Sequence, residues 1–128
     1  MADLTDLKKE FMGKKKFAIV GATDNAEKFG HRILMNLKGR GYEVYPVNPR
    51  LDKIEDVTCY HTLSDIPLKV DVVDFVTPPE RTVEALKECK KLGLECIWLQ
   101  PGAESDAAIE YCNQNKLRVV YNDCVMRN

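Results

Sequence analysis

An alternation running the length of the chain constrains its fold more than any other feature. Apolar runs rich in Val, Ile and aromatic residues recur as "KFAIVG" (16–21), "YEVYPVN" (42–48), "VDVVDFV" (70–76), "ECIWLQ" (95–100) and "LRVVYN" (117–122), and each reads as a β-strand. Between them, segments at about 27–38, 80–92 and 104–115 place Ile33, Leu34 and Leu37, or Val83 and Leu86, at helical spacing. Strands separated by helices cannot pair as hairpins. They pair in parallel, and right-handed crossovers put the helices on both faces. The expectation is an α/β, Rossmann-like three-layer domain with a five-stranded parallel sheet of order 3-2-1-4-5. The first, third and fourth strands are apolar enough to be buried on both faces.

Punctuation supports this division. Gly39 and Gly41 end the first helix and Gly93 the second, as left-handed caps. An opening helix within 1–13 sets Leu4, Leu7 and Phe11 on one face and packs on the domain. The link from the second strand to the third is bracketed by Pro49 and Pro67 and offers only a brief helical stretch at Leu63 to Ile66, so that crossover is reduced. With 128 residues, 45% of them hydrophobic, the chain suits one domain, 1–128, with its own core.

Charge and cysteine usage remove several function classes. A formal net charge of −1 gives no global attraction to nucleic acid or to an anionic membrane, so an anion must be held locally. No apolar run approaches the ~20 residues that a bilayer requires, and the N-terminus does not resemble a signal peptide, which places the protein in the cytoplasm. The five cysteines, Cys59, Cys89, Cys96, Cys112 and Cys124, are scattered without a CxxC pair, so neither a disulfide framework nor a metal site is expected. They read as reduced, buried thiols.

In open parallel sheets ligands bind beyond the carboxyl ends of the strands, near the point where the strand order reverses. The turn "GATDNAEKFG" (21–30) lies there, and Gly21, Ala22 and Thr23 bring backbone N–H groups and a hydroxyl to the amino end of a helix, an arrangement that suits an anion. The spacing is not GxGxxG, because Thr23 occupies the middle glycine position. At the end of strand two an NAD site normally carries an acid for the ribose; here "PVNPR" has Asn48 and Pro49 instead, followed by Arg50 and, nearby, Lys53. A ligand with a phosphate on its ribose suits that charge, and NADP and coenzyme A both qualify. "TPPE" ends strand three with a stiff turn in which Thr77 and Glu80 match a capping box and Pro78 the first helical position. "QPGAES" ends strand four, with Gln100 able to bond an amide. His31 and His61 have no nucleophile beside them in sequence, Trp98 reads as core, and no catalytic residue is assigned.

Taken together, "AIVGAT", "GYEVYPVNP", "VDVVDFVTPPE", "IWLQPGAES" and the closing "CVM" resemble the small stand-alone CoA-binding domain family, relatives of the N-terminal domain of the succinyl-CoA synthetase alpha subunit. The resemblance spans about Lys15 to Met126. It implies that Gly21, Ala22 and Thr23 contact the CoA diphosphate, with Lys28 adding charge. Val47, Asn48, Pro49 and Arg50 would surround the adenosine end, with Arg50 or Lys53 facing the 3′-phosphate. Thr77, Pro78 and Pro79 would line the adenine and pantetheine path, and Gln100, Pro101 and Gly102 would approach the pantetheine arm. Close relatives often carry arginine before the closing cysteine, where this chain has Asp123.

The resemblance supplies no active site, since an acyl-CoA synthetase also needs a phosphorylated histidine and a nucleotide-grasping domain. The expected function is therefore binding of CoA or an acyl-CoA without catalysis. The alternatives are an NADP-dependent oxidoreductase fragment or an interaction module with a vestigial pocket.

Overall fold

A computed structural model describes residues 4–128; residues 1–3 of the expected opening helix lie outside the described residues. The chain runs α1 (Leu4–Met12), β1 (Lys16–Val20), α2 (Phe29–Gly39), β2 (Glu43–Val47), β3 (Lys53–Ile54), β4 (Val57–Thr58), a 3₁₀ turn (Leu63–Asp65), β5 (Val72–Phe75), α3 (Pro79–Leu92), β6 (Cys96–Leu99), α4 (Asp106–Gln114), β7 (Arg118–Val120) and a closing 3₁₀ turn (Val125–Arg127). All five expected strands form, each slightly shorter than its apolar run.

These five make one parallel sheet, β2-β1-β5-β6-β7. The Rossmann-like parallel architecture is as expected, but the strand placement needs a correction. Counting only the expected strands, the order is 2-1-3-4-5, because β5 pairs with β1 rather than lying beyond β2. The reason is burial. All four β5 residues are buried, and an edge position would leave them partly in water. The place beyond β2 is taken by one parallel bridge, Val47 with Tyr60. If that bridge is counted as strand three, the order becomes 3-2-1-4-5-6. The reversal of direction falls between β1 and β5, which makes their carboxyl ends the place for a ligand.

Alternation along each strand sends side chains to two cores. Ala18, Val73, Phe75, Ile97 and Leu99 face α3 and α4, where they meet Leu86, Cys89, Ala108 and Cys112. Phe17, Ile19, Val72 and Trp98 face α1 and α2, where they meet Phe11, Ile33, Leu34 and Leu37. Trp98 is fully buried, as the sequence suggests, and its indole N–H donates to the Asp123 carbonyl at 2.9 Å. The five cysteines are all buried.

Two helix ends differ from expectation. Gly93 is a left-handed cap at φ +73°, but Gly39 stays within α2, which ends on Arg40 before Gly41 turns left-handed. The Thr77/Glu80 capping box does not form: Pro78 is the N-cap without a side-chain bond and Pro79 opens α3. No helix among the described residues is long and apolar enough to cross a membrane.

Candidate functional site

The carboxyl ends of β2, β1 and β5 are stitched together by backbone bonds. Gly21 N–H donates to Val47 O at 3.2 Å, and Val76 N–H to Val20 O at 2.8 Å. Gly21 adopts φ +95°, and a Cβ there would stand 2.3 Å from the Val76 carbonyl oxygen. A second glycine completes this close approach: a Cβ on Gly30, in the first turn of α2, would stand 2.3 Å from the Gly21 oxygen. The two glycines thus let the helix start sit directly on the strand end.

The connecting turn is held from within. Thr23 Oγ1 accepts the Asn25 N–H at 3.2 Å and Asn25 Oδ1 accepts the Glu27 N–H at 3.0 Å. The helix begins at Phe29, two residues later than expected, with Lys28 as an N-cap that makes no side-chain bond and with no acid in the first turn. Lys28 N–H donates to Asn25 O at 3.0 Å and His31 N–H to Lys28 O at 3.2 Å, so the N–H groups of Phe29 and Gly30 and the positive end of the dipole are what remain without a side-chain acceptor.

Above this floor lies a cleft of about 660 Å³, within the size range of small-molecule sites. Gly21, Thr23, Lys28, Val47, Asn48, Pro49, Arg50, Thr77 and Pro78 all line it. Arg50 and Lys28 are exposed and make no side-chain hydrogen bond or ion pair among the described residues. Arg81 of α3, unmarked by sequence reasoning, is a third such cation on the wall, and Leu63, Ala85 and Glu88 close that end. No motif announces these four. They enter because residues 61–63 run beside the end of β2 and α3 packs over them.

Asn48 occupies the place of the usual ribose acid, and both ends of its amide are engaged. Nδ2 donates to Ala22 O and Oδ1 accepts the Arg50 N–H, each at 2.9 Å. It therefore positions two loops rather than presenting a free group. The Thr77 hydroxyl is likewise engaged, 2.7 Å from that of buried Thr82, which in turn donates to Ala103 O at 2.9 Å. His61 lines the cleft and pairs with Asp52 at 2.8 Å, while His31 is buried against Glu55 away from it.

The remaining expected residues do not line the cleft. The Ala22 side chain is buried in the α2-side core, Lys53 is exposed on the β3–β4 hairpin, and Pro79 is carried into α3. Pro101 and Gly102 lie in the exposed turn after β6. Gln100 requires the clearest correction: it is fully buried, its Nε2 donates to Asp74 Oδ1 at 2.6 Å, and its Oε1 accepts the Val125 N–H at 3.3 Å. An amide committed at both ends to the interior cannot serve an amide in the cleft.

Asp74 is itself fully buried, and its Oδ2 has no hydrogen-bond partner among the described residues. Burial pushes this carboxyl up to about 7, with the Gln100 bond pulling weakly the other way. Nearby, Asp123 accepts from Asn128, Lys8, Arg127 and the Cys124 N–H; the Asn128 bond first, then Lys8 and the Cys124 N–H, hold its carboxyl well below the usual carboxylate range. Asp123 therefore ties α1 to the C-terminal turn. Cys124 is buried, with its thiol pushed up by that burial, and it does not line the cleft.

Fold and cleft together define a class: a Rossmann-like α/β protein whose opening lies over β1, β2 and β5 and is lined with unpaired cations. Within that class the chain belongs to the CoA-binding domain family, whose model matches residues 15–128. It is 35% identical over 106 residues to the ADP-forming acetate–CoA ligase of Methanocaldococcus jannaschii, which covers 83% of this chain and 15% of the ligase. It is 37% identical over 83 residues to the ADP-forming acetate–CoA ligase II of Archaeoglobus fulgidus, covering 63% of this chain and 12% of that enzyme. The chain thus spans only a small part of the curated ligases it matches. Among solved structures, a conserved hypothetical protein from Pyrococcus furiosus superposes with a TM-score of 0.85 at 38% identity, covering 88% of this chain and 97% of that one.

Proposed function

We propose that the chain binds coenzyme A or an acyl-CoA in this cleft and performs no chemistry on it. The diphosphate lies over Gly21 to Thr23 and the amino end of α2, the adenosine beside Val47 to Arg50, and the pantetheine along Thr77 and Pro78. The supporting observation is the combination of an uncapped helix start with three unpaired cations, Lys28, Arg50 and Arg81, around a cleft where β2 ends in no acid. CoA carries both a diphosphate and a 3′-phosphate, and separated cations suit separated phosphates. NADP would share the ribose phosphate but not the glycine spacing.

CoA is expected to raise the melting temperature. A ligand that binds only the folded state at a hundredfold excess over its Kd stabilises by ~2.7 kcal/mol, which is roughly 10 °C for a chain of this size. No shift at millimolar CoA, or a larger shift with NADPH, would overturn the proposal. Arg50→Glu is expected to weaken CoA about tenfold or more and dephospho-CoA no more than about threefold, read by calorimetry. Equal losses would remove Arg50 from the 3′-phosphate.

A further inference from the structure

The cleft is divided by charge. Lys28, Arg50 and Arg81 are cationic, whereas the end formed by the 3₁₀ turn and α3 holds a carboxylate, Glu88. Glu88 is half-buried and held in one rotamer by Ser64: Oε2 accepts the Ser64 hydroxyl at 2.8 Å and the Ser64 N–H at 3.3 Å. Oε1 has no partner among the described residues and remains a fixed, charged acceptor. Around it, Leu63 and Ala85 supply apolar surface.

A polyanionic ligand cannot place phosphate against that carboxylate, so a neutral part must lie there, and that part must donate a hydrogen bond. In sheets of this type the nucleoside lies at the end of β2. Residues 61–63 follow directly on Tyr60, which bridges to Val47 at that end, and Glu88 is tied to the next residue, Ser64. The nucleoside base is therefore the neutral part within reach. At the 6-position an amino purine offers an N–H to an acceptor, whereas a 6-oxo purine turns an oxygen there and keeps its only donor on that edge, N1–H, one ring position away, out of line with a carboxylate fixed opposite the 6-position.

We infer that Glu88, clasped by Ser64, reads the base of the bound nucleotide and selects a 6-amino purine over a 6-oxo purine. This rests on the CoA reading above, and the two can fail separately. The test is calorimetric titration of the intact protein with CoA and with its deaminated, hypoxanthine-containing analogue. The expected result is that the analogue binds about tenfold or more weakly, since it loses a charge-assisted hydrogen bond and gains a repulsion. Glu88→Gln, which can donate as well as accept, should bring the two ligands within about threefold. Wild-type protein that binds both equally, or an E88Q protein that keeps the full preference, would overturn the inference while leaving CoA binding intact. Absence of CoA binding would overturn both. Adenosine 3′,5′-bisphosphate and its inosine counterpart should repeat the preference; if only 4′-phosphopantetheine responds to E88Q, the base lies elsewhere and the inference fails.

Discussion

Gly30→Ala is expected to destabilise the protein by about 2 kcal/mol or more and to lower its melting temperature by roughly 10 °C. Helix propensity predicts the opposite sign, since Ala is favoured over Gly by ~1 kcal/mol within a helix. Packing decides between them. The new Cβ would stand 2.3 Å from the Gly21 carbonyl oxygen and 3.3 Å from Ala22 Cα, and both neighbours are backbone that cannot rotate away. Relief requires lifting α2 off the end of β1, which also opens the turn that holds Thr23. The control lies in the same helix: a Cβ on Gly39 meets nothing within 4 Å, so Gly39→Ala should leave stability unchanged or raise it by up to ~1 kcal/mol. Parallel thermal melts measure both, and equal effects at the two positions would refute the close-packed floor.

Asp74→Asn is expected to change the pH dependence of stability rather than stability at all pH values. In the folded chain the carboxyl titrates at about 7, against an ordinary value of 3.8. Between those values the folded state keeps a proton that the unfolded state has lost, so stability falls as pH rises, by up to ~1.4 kcal/mol per unit. The contribution is fully present below about pH 4 and has gone above about pH 7, a total of ~4 kcal/mol. The amide in D74N keeps an oxygen for the Gln100 bond and cannot ionise. Its NH2 group takes the place of Oδ2, which has no partner among the described residues, and is left without an acceptor, at a cost of ~1–3 kcal/mol, which sets the two proteins close together near pH 5 and leaves the variant ahead by about 2 kcal/mol at pH 8. Urea denaturation at intervals from pH 4 to 8.5 reads this directly, and wild-type and D74N curves that stay parallel would exclude a protonated Asp74.

Hydrophobic period made most of the architecture legible, because parallel strands buried on both faces have little freedom in composition. The placement of β5 was not legible from local pattern, since it depends on how the 24 residues from Asn48 to Asp71 fold, and those carry weak signals. Their β3–β4 hairpin turns through Glu55 at φ +54°, where the usual Asn-Gly or Asp-Gly marker is missing. The site was legible where it is backbone: Gly21, Thr23 and the residues ending β2 line the cleft they were expected to line. Gln100 alone among the strand-end polar residues goes elsewhere, because a polar side chain there has two possible destinations. Gln100 and Asn48 stand at equivalent strand ends, yet one is drawn into the core by an ionisable neighbour and the other spans two loops. Arg81 and Glu88 carry no motif and become visible only once α3 is packed.

The Asn48 amide has a thermodynamic consequence for recognition. By joining the Ala22 carbonyl to the Arg50 N–H, it makes the turn after β1 and the basic loop after β2 one mechanical unit. The freedom those segments would otherwise lose on association has already been lost in folding, and ordering terms of ~0.5–1.5 kcal/mol per immobilised side chain are confined to the long cations on the rim. On the proposed CoA reading the cleft is a preformed mould, whose affinity would be set by the fit of charge and shape rather than by a closing motion.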